Sequence, residues 1–140
     1  MAIKKEKLIE LLNKDLELEY SAAIQYIQHA AVMTGAKYGD IIKELKVHAN
    51  EEIAHALVFA DQIAYLGGVP SVEVEKVYVD ANNETMLEQD LAGEEDAIKR
   101  YKERVGQAEE LQEYALSQQL RTILADEQEH AMDLESALGK

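Results

Sequence analysis

The sequence has 140 residues, a formal net charge of −14 and no cysteine. Disulfide scaffolds, cysteine-ligated zinc, rubredoxin modules and iron–sulfur clusters are thereby excluded. So large an acidic excess argues against electrostatic binding to nucleic acid or to an anionic membrane surface. One proline, seven glycines and abundant Ala, Leu, Glu, Lys and Gln predict an all-α chain. The length suits one domain over residues 1–140. Basic residues near the N-terminus precede no long apolar run, and polar residues interrupt every later segment. Neither a signal peptide nor a transmembrane helix is expected, and a cytoplasmic location is.

The first helical pattern runs from about Lys4 to Met33, with an inward stripe of Leu8, Leu12, Asp15 or Leu16, Glu19, Ala23, Tyr26, Ala30 and Met33. Glu19 lies within an otherwise largely apolar stripe, where a carboxylate must be paired, protonated or metal-bound. Glu17 lies off the stripe and reads as solvated. Residues 34–40 are a short connection, with glycines as a stop and Asp40 as an N-cap candidate. The second pattern, about Ile41 to Leu66, carries Leu45, His48, Glu52, His55, Phe59, Gln62 and Leu66, and Gly67-Gly68-Val69-Pro70 ends it. From Ser71 to Asn83 valines alternate with acids and no helical period persists. This reads as an extended crossover capped by Asn82 or Asn83, long enough for the next helix to run parallel to its predecessor. The third pattern, about Glu84 to Ala108, has Leu87, Asp90 or Leu91, Glu94, Ala97 or Ile98, Tyr101 and Val105 on its stripe. The fourth, about Leu111 to Leu138, has Leu116, Leu120, Ile123, Glu127, His130, Leu134 and Ala137. The predicted fold is a four-helix bundle with a long crossover between helices 2 and 3.

Glu52-Ile53-Ala54-His55 and Glu127-Gln128-Glu129-His130 each put a carboxylate and an imidazole one turn apart on a helical face. An isolated pair of this kind is usually a surface feature. Here a shift of 75 positions, without a gap, carries Glu19, Glu52 and His55 onto Glu94, Glu127 and His130. The same shift carries Leu12, Asp15, Leu16, Ala22 and Tyr26 onto Leu87, Asp90, Leu91, Ala97 and Tyr101. Four carboxylates and two imidazoles form a duplicated metal half-site whose charge two divalent ions would neutralise. Imidazole and carboxylate suit iron, with manganese or zinc as substitutes. In this reading Glu19 and His55 serve one ion, Glu94 and His130 the other, and Glu52 and Glu127 bridge. Tyr26 and Tyr101, two turns beyond Glu19 and Glu94, are expected to hydrogen-bond the opposite half's terminal glutamate. His29 and His48 meet Arg104 and Ile123 under the shift and read as incidental surface or packing residues, His48 close to the stripe, while Glu51 and Glu129 read as solvated or as lying on a path by which iron enters.

These residues, together with Leu12-Asn13-Lys14, Gln25-Tyr26 with His29, Leu66-Gly67-Gly68-Val69-Pro70 and Asp126 before Glu127, resemble the ferritin-like superfamily, and within it bacterioferritin. The resemblance implies iron storage by ferroxidase chemistry, in which Fe(II) is oxidised by O2 or H2O2 at an intrasubunit di-iron site within a homo-oligomeric shell or a dimer. Haem is not expected, because Ile53 stands where haem-binding bacterioferritins place their axial methionine. The fifth helix of a 24-subunit bacterioferritin shell is not expected either. The alternative is a rubrerythrin-like di-iron peroxidase that stores no iron. Its paired tyrosines match, but Ala97 stands where that family carries a further glutamate.

Overall fold

A computed structural model describes residues 3–140; the first two positions of the basic N-terminal stretch lie outside them. Four helices follow one another: α1 (Lys5–Val32), α2 (Gly39–Tyr65), α3 (Asn83–Glu110) and α4 (Tyr114–Ala137), with a short 3-10 turn (Ala36–Tyr38) between the first two. α1 packs chiefly on α2 and α3 on α4, and the two hairpins join through α1–α3 and α2–α4 contacts. The predicted segments are all present. α2 begins at Gly39, so Asp40 sits in its first turn and does not cap it; α4 begins at Tyr114, later than the sequence suggested.

Local chemistry sets the helix ends. Asn82 accepts the Thr85 backbone N–H at 2.9 Å and caps α3. The C-termini of α2, α3 and α4 close in the same Schellman geometry, for example through Gly68 N–H to Ile63 O at 2.9 Å and Gly67 N–H to Ala64 O at 3.1 Å. This closure needs a left-handed residue, supplied by Gly67 (φ 97°) and Gly139 (φ 75°) but by Gln112 (φ 59°) at the end of α3. Gly68 answers a different demand, since a Cβ there would lie 2.5 Å from Ile9 Cγ2.

The connection from α2 to α3 is extended and runs along α1. Asn13 grips its start, donating to Val69 O at 3.0 Å and accepting from Ser71 N–H at 2.8 Å. Further on, Tyr20 donates to Ser71 O, Gln25 accepts from Tyr78 N–H, and Asn83 donates to Thr34 O. Glu17, expected in solvent, instead accepts the Ser71 hydroxyl at 2.7 Å. The connection thus returns the chain to the end where α1 stopped, and α3 runs parallel to α2.

The buried apolar residues form two clusters. One gathers Leu8, Leu12, Leu16, Phe59, Ile63, Tyr101, Leu116 and Leu120; the other Tyr26, Met33, Leu45, Met86, Leu87 and Leu134. Ile63 fills the inward position expected for Gln62, which is only half-buried. Between the clusters each helix contributes charged residues to one layer.

Candidate dinuclear metal centre

The charged layer contains Glu19 from α1, Glu52 and His55 from α2, Glu94 from α3, and Glu127 and His130 from α4, all at most 4% exposed. They form two groups whose ligand atoms lie within 4.8 Å of one another: Glu19, Glu52, His55 and Glu127, and Glu52, Glu94, Glu127 and His130. Glu52 and Glu127 belong to both. His55 Nδ1 lies 3.1 Å from Glu52 and 3.4 Å from Glu127, while His130 Nδ1 lies 3.3 Å from both Glu94 and Glu127. Each of the six residues also holds a buried nitrogen or oxygen without a hydrogen-bond partner. Unsatisfied buried acceptors are costly. The four glutamates and His55 Nδ1 bring such atoms to the two groups, which fits a pair of divalent cations as the missing partners, whereas the partnerless atom of His130 is its outer Nε2.

The electrostatics point the same way. Burial, then the neighbouring Glu19 and Glu127 charges, pushes Glu52 well above the usual carboxylate range. Burial and the Glu127 charge push Glu94 up to about 8, against the opposing pull of His130. Burial disfavours the imidazolium of His130, but hydrogen bonds to Glu127 and Glu94 and their charges outweigh it and hold the group at about 11. His55 is raised to about 9 in the same way, chiefly by Glu19. Burial likewise opposes ionisation of Glu127, yet His130, Glu52 and His55 together keep its pKa below the usual value. The carboxylates therefore hold protons and imidazolium partners that a metal would displace.

Tyr26 donates to Glu94 at 2.6 Å and Tyr101 to Glu19 at 2.5 Å, so each tyrosine reaches across to the other half's glutamate. The outer nitrogens of the imidazoles also have carboxylate neighbours. His55 Nε2 donates to Asp126 at 2.8 Å, and His130 Nε2 lies 3.5 Å from Glu51. Asp126 thereby fixes the orientation of the His55 ring, whereas Glu51 stands beside the His130 ring without a hydrogen bond to it. Glu51 is not the freely solvated residue expected; the signal was its place, directly before Glu52 as Asp126 is directly before Glu127.

His29 and His48 are both buried, and each has specific partners that an incidental role does not anticipate. His29 donates from Nδ1 to Asp90 and from Nε2 to Tyr78 O, both at 2.9 Å. Burial opposes its charge, but Asp90 and the carbonyl raise its pKa. With two acceptors facing its two nitrogens, the ring is held as a cation. Under the 75-residue shift His29 meets Arg104 and Asp90 meets Asp15. Arg104 donates to Asp15 at 2.7 Å, joined by Arg100 at 2.6 Å. The shift had been read as breaking at His29, whereas the cation–aspartate contact persists with different chemistry. His48 stacks on His130 at a centroid distance of 3.9 Å, and Asp133 Oδ2 lies 3.1 Å from its Nε2.

A cavity of about 590 Å³ opens between α1 and α3 and reaches Glu19, Glu52, Glu94, Glu127, Tyr26 and Tyr101. Its outer wall includes Lys76 and Tyr78 of the crossover.

The architecture, a bundle whose charged middle layer gathers two glutamate–histidine groups, matches the ferritin-like domain over residues 9–140. The chain belongs to that family. It is 34% identical over 133 residues to the bacterioferritin of Brucella melitensis, covering 94% of this chain and 83% of that protein. A ferritin-like, diiron-carboxylate protein from Bacillus anthracis superposes with a TM-score of 0.93 at 35% identity, covering 99% of both chains. A dodecameric thioferritin described as bacterioferritin-related, from Bacteroides fragilis, superposes at 0.90 with 31% identity, covering 98% of this chain and 87% of that one.

Proposed function

We propose that the protein is an iron-storing ferroxidase that oxidises Fe(II) to Fe(III) at this centre, with O2 or H2O2 as acceptor, and keeps the product. The observation that carries the reading is the interlocking of the two ligand groups through Glu52 and Glu127. Glu19 and His55 hold one Fe(II), Glu94 and His130 the other, and Glu52 and Glu127 lie between them. Two divalent ions balance four buried carboxylates where one would leave excess charge. Two Fe(II) side by side supply two electrons together, matching reduction of O2 to hydrogen peroxide or of H2O2 to water. Tyr26 and Tyr101 hold the terminal carboxylates, Asp126 orients the His55 imidazole, and the cavity between α1 and α3 supplies room for the oxidant. Manganese or zinc suits the same donors.

Bacterioferritin relatives support storage, and the dodecameric neighbour supports a homo-oligomer. Haem is not part of this reading, because Ile53 offers no sulfur ligand. The rubrerythrin-like alternative is not favoured by relatives that are bacterioferritins. Among the described residues no helix is long and apolar enough to cross a membrane, and we place the protein in the cytoplasm.

Glu52→Ala or Glu127→Ala is expected to abolish rapid Fe(II) oxidation while circular dichroism still reports a helical bundle. Unchanged rates in both variants would sink the site assignment. In an aerobic Fe(II) titration followed by gel filtration, retention far above two irons per chain is expected, whereas saturation at two would remove storage from the proposal.

A further inference from the structure

We propose that the cavity between α1 and α3 binds neutral organic hydroperoxides, which serve there as oxidants of the iron pair and leave as alcohols. The chemistry rests on the ferroxidase reading, to which it adds a substrate class; the binding site does not. The cavity of about 590 Å³ reaches all four glutamates of the centre. Pockets of about 300–1,000 Å³ accommodate drug-sized organic molecules, so the space far exceeds what O2 or H2O2 fills. Glu19 and Glu94, both in its wall, each keep a buried Oε2 without a partner.

The wall favours an uncharged, carbon-rich occupant. Gln25, which borders the cavity, donates to Asp90 at 2.8 Å and accepts the Tyr78 N–H at 2.9 Å. Arg100, also in the wall, donates to Asp15 at 2.6 Å and to Asp96 at 2.7 Å. These polar groups are committed to one another, so an anion entering between them would lose water, gain no partner and face the glutamates. Leu18, Ala22, Gly93 and Ala97 offer carbon surface instead. The 75-residue shift pairs Ala22 with Ala97 and Leu18 with Gly93. Small residues on both helices keep the space open, and glycine enlarges it on the α3 side. Glycine weakens a helix interior, yet neither a positive φ nor a close contact requires it here, since a Cβ at Gly93 would meet no atom within 4 Å. The cavity is also preformed. Tyr78 in its outer wall is held by Gln25 at the N–H and by His29 at the C=O, and both side chains bind Asp90 of α3.

A molecule that fills this space and carries the O–O bond of H2O2 to the centre is an alkyl or aryl hydroperoxide. Two Fe(II) give one electron each to that bond, which breaks; one oxygen leaves in the alcohol and the other in water. One hydroperoxide, two Fe(II) and two protons from solvent thus give one alcohol, one water and two Fe(III).

The test compares cumene hydroperoxide with H2O2 as oxidant of Fe(II) loaded anaerobically into the intact protein. In Ala22→Leu/Gly93→Leu, which puts carbon into the cavity, the ratio of the cumene hydroperoxide rate to the H2O2 rate is expected to fall about tenfold or more. Gly93→Ala, whose added carbon meets nothing, is expected to keep the wild-type ratio. A second measurement needs no redox chemistry: titration of cumyl alcohol, the product, into protein loaded with redox-inert Zn(II). Wild type is expected to bind it and the double variant not to. An unchanged rate ratio in the double variant, a wild type that uses H2O2 but not cumene hydroperoxide, or no binding of cumyl alcohol to wild type would each overturn the proposal. Binding of cumyl alcohol without iron oxidation by either oxidant would instead strike the ferroxidase reading, and the hydroperoxide chemistry with it, leaving only the ligand site.

Discussion

A single hydroxyl connects the halves of the centre on each side. Tyr101 is buried and donates to Glu19, Tyr26 to Glu94, so each terminal carboxylate is aimed by a residue from the opposite hairpin. A carboxylate released from such a contact can swing away from the position where it would ligate. Partners of this kind typically govern metal affinity by about 10–100-fold. Tyr26→Phe and Tyr101→Phe are each expected to weaken anaerobic metal binding within that range, in one ion of the pair more than the other. Isothermal titration would show two separated transitions; a single unshifted isotherm in both variants would show that the hydroxyls position nothing. The tyrosines were legible because they repeat. Asp126 and Glu51 were harder, since an acid next to a ligand glutamate points about 100° around the helix and its target becomes visible only once α2 and α4 face each other.

At the level of elements, α1 and α3 exchange buried charge through two aspartates of unlike surroundings. Asp15 is held by Arg100 and Arg104, whereas Asp90 is held by Gln25 and His29. Asp15→Asn would leave the buried Arg104 guanidinium short of a counter-charge, a loss of about 3–5 kcal/mol. Asp90→Asn would leave His29, which can shed its proton, and about 1–2 kcal/mol is expected. Urea denaturation of the two variants should rank them in that order, and the reverse order would contradict the account. A second element-level test concerns the end of α3. Gln112 occupies a left-handed conformation that costs an ordinary residue about 1–2 kcal/mol. Gln112→Gly is therefore expected to stabilise by about 1 kcal/mol after its entropic cost, read as a raised melting temperature. The helices themselves were legible because each carries a sustained apolar stripe, and the six charged positions because they interrupt those stripes in register. His29 was misread for a physical reason. Histidine and arginine look unrelated in a residue-by-residue repeat, although a buried aspartate accepts a proton donor from either.

Across the whole molecule, the charged layer divides the apolar core and ties stability to pH. Glu94 has its pKa raised from 4.5 to about 8, and His55 and His130 theirs from 6.5 to about 9 and about 11. A raised carboxyl favours folding most below its unfolded value and loses that contribution as pH climbs towards 8. The raised imidazoles contribute fully below 6.5 and lose their contribution through 9 and 11. All three have the same sign. Chelator-treated protein is expected to melt at progressively lower temperature from pH 6 to pH 10, and divalent metal, by displacing those protons, to flatten the slope. Calorimetry across that range checks it, and a metal-free melting temperature that rises with pH would refute it. The extended connection between α2 and α3 has a consequence of another kind. Two separate, identical hairpins would have to present the same partner to both aspartates and the same neighbour to both histidines. Joined in one polypeptide, the hairpins are free to diverge. Arginine can secure one side while histidine secures the other, and His48 can stack on His130 where its twin position is isoleucine. The two metal positions can thus acquire different affinities and different routes of access by single substitutions, an inequality denied to a symmetric pair.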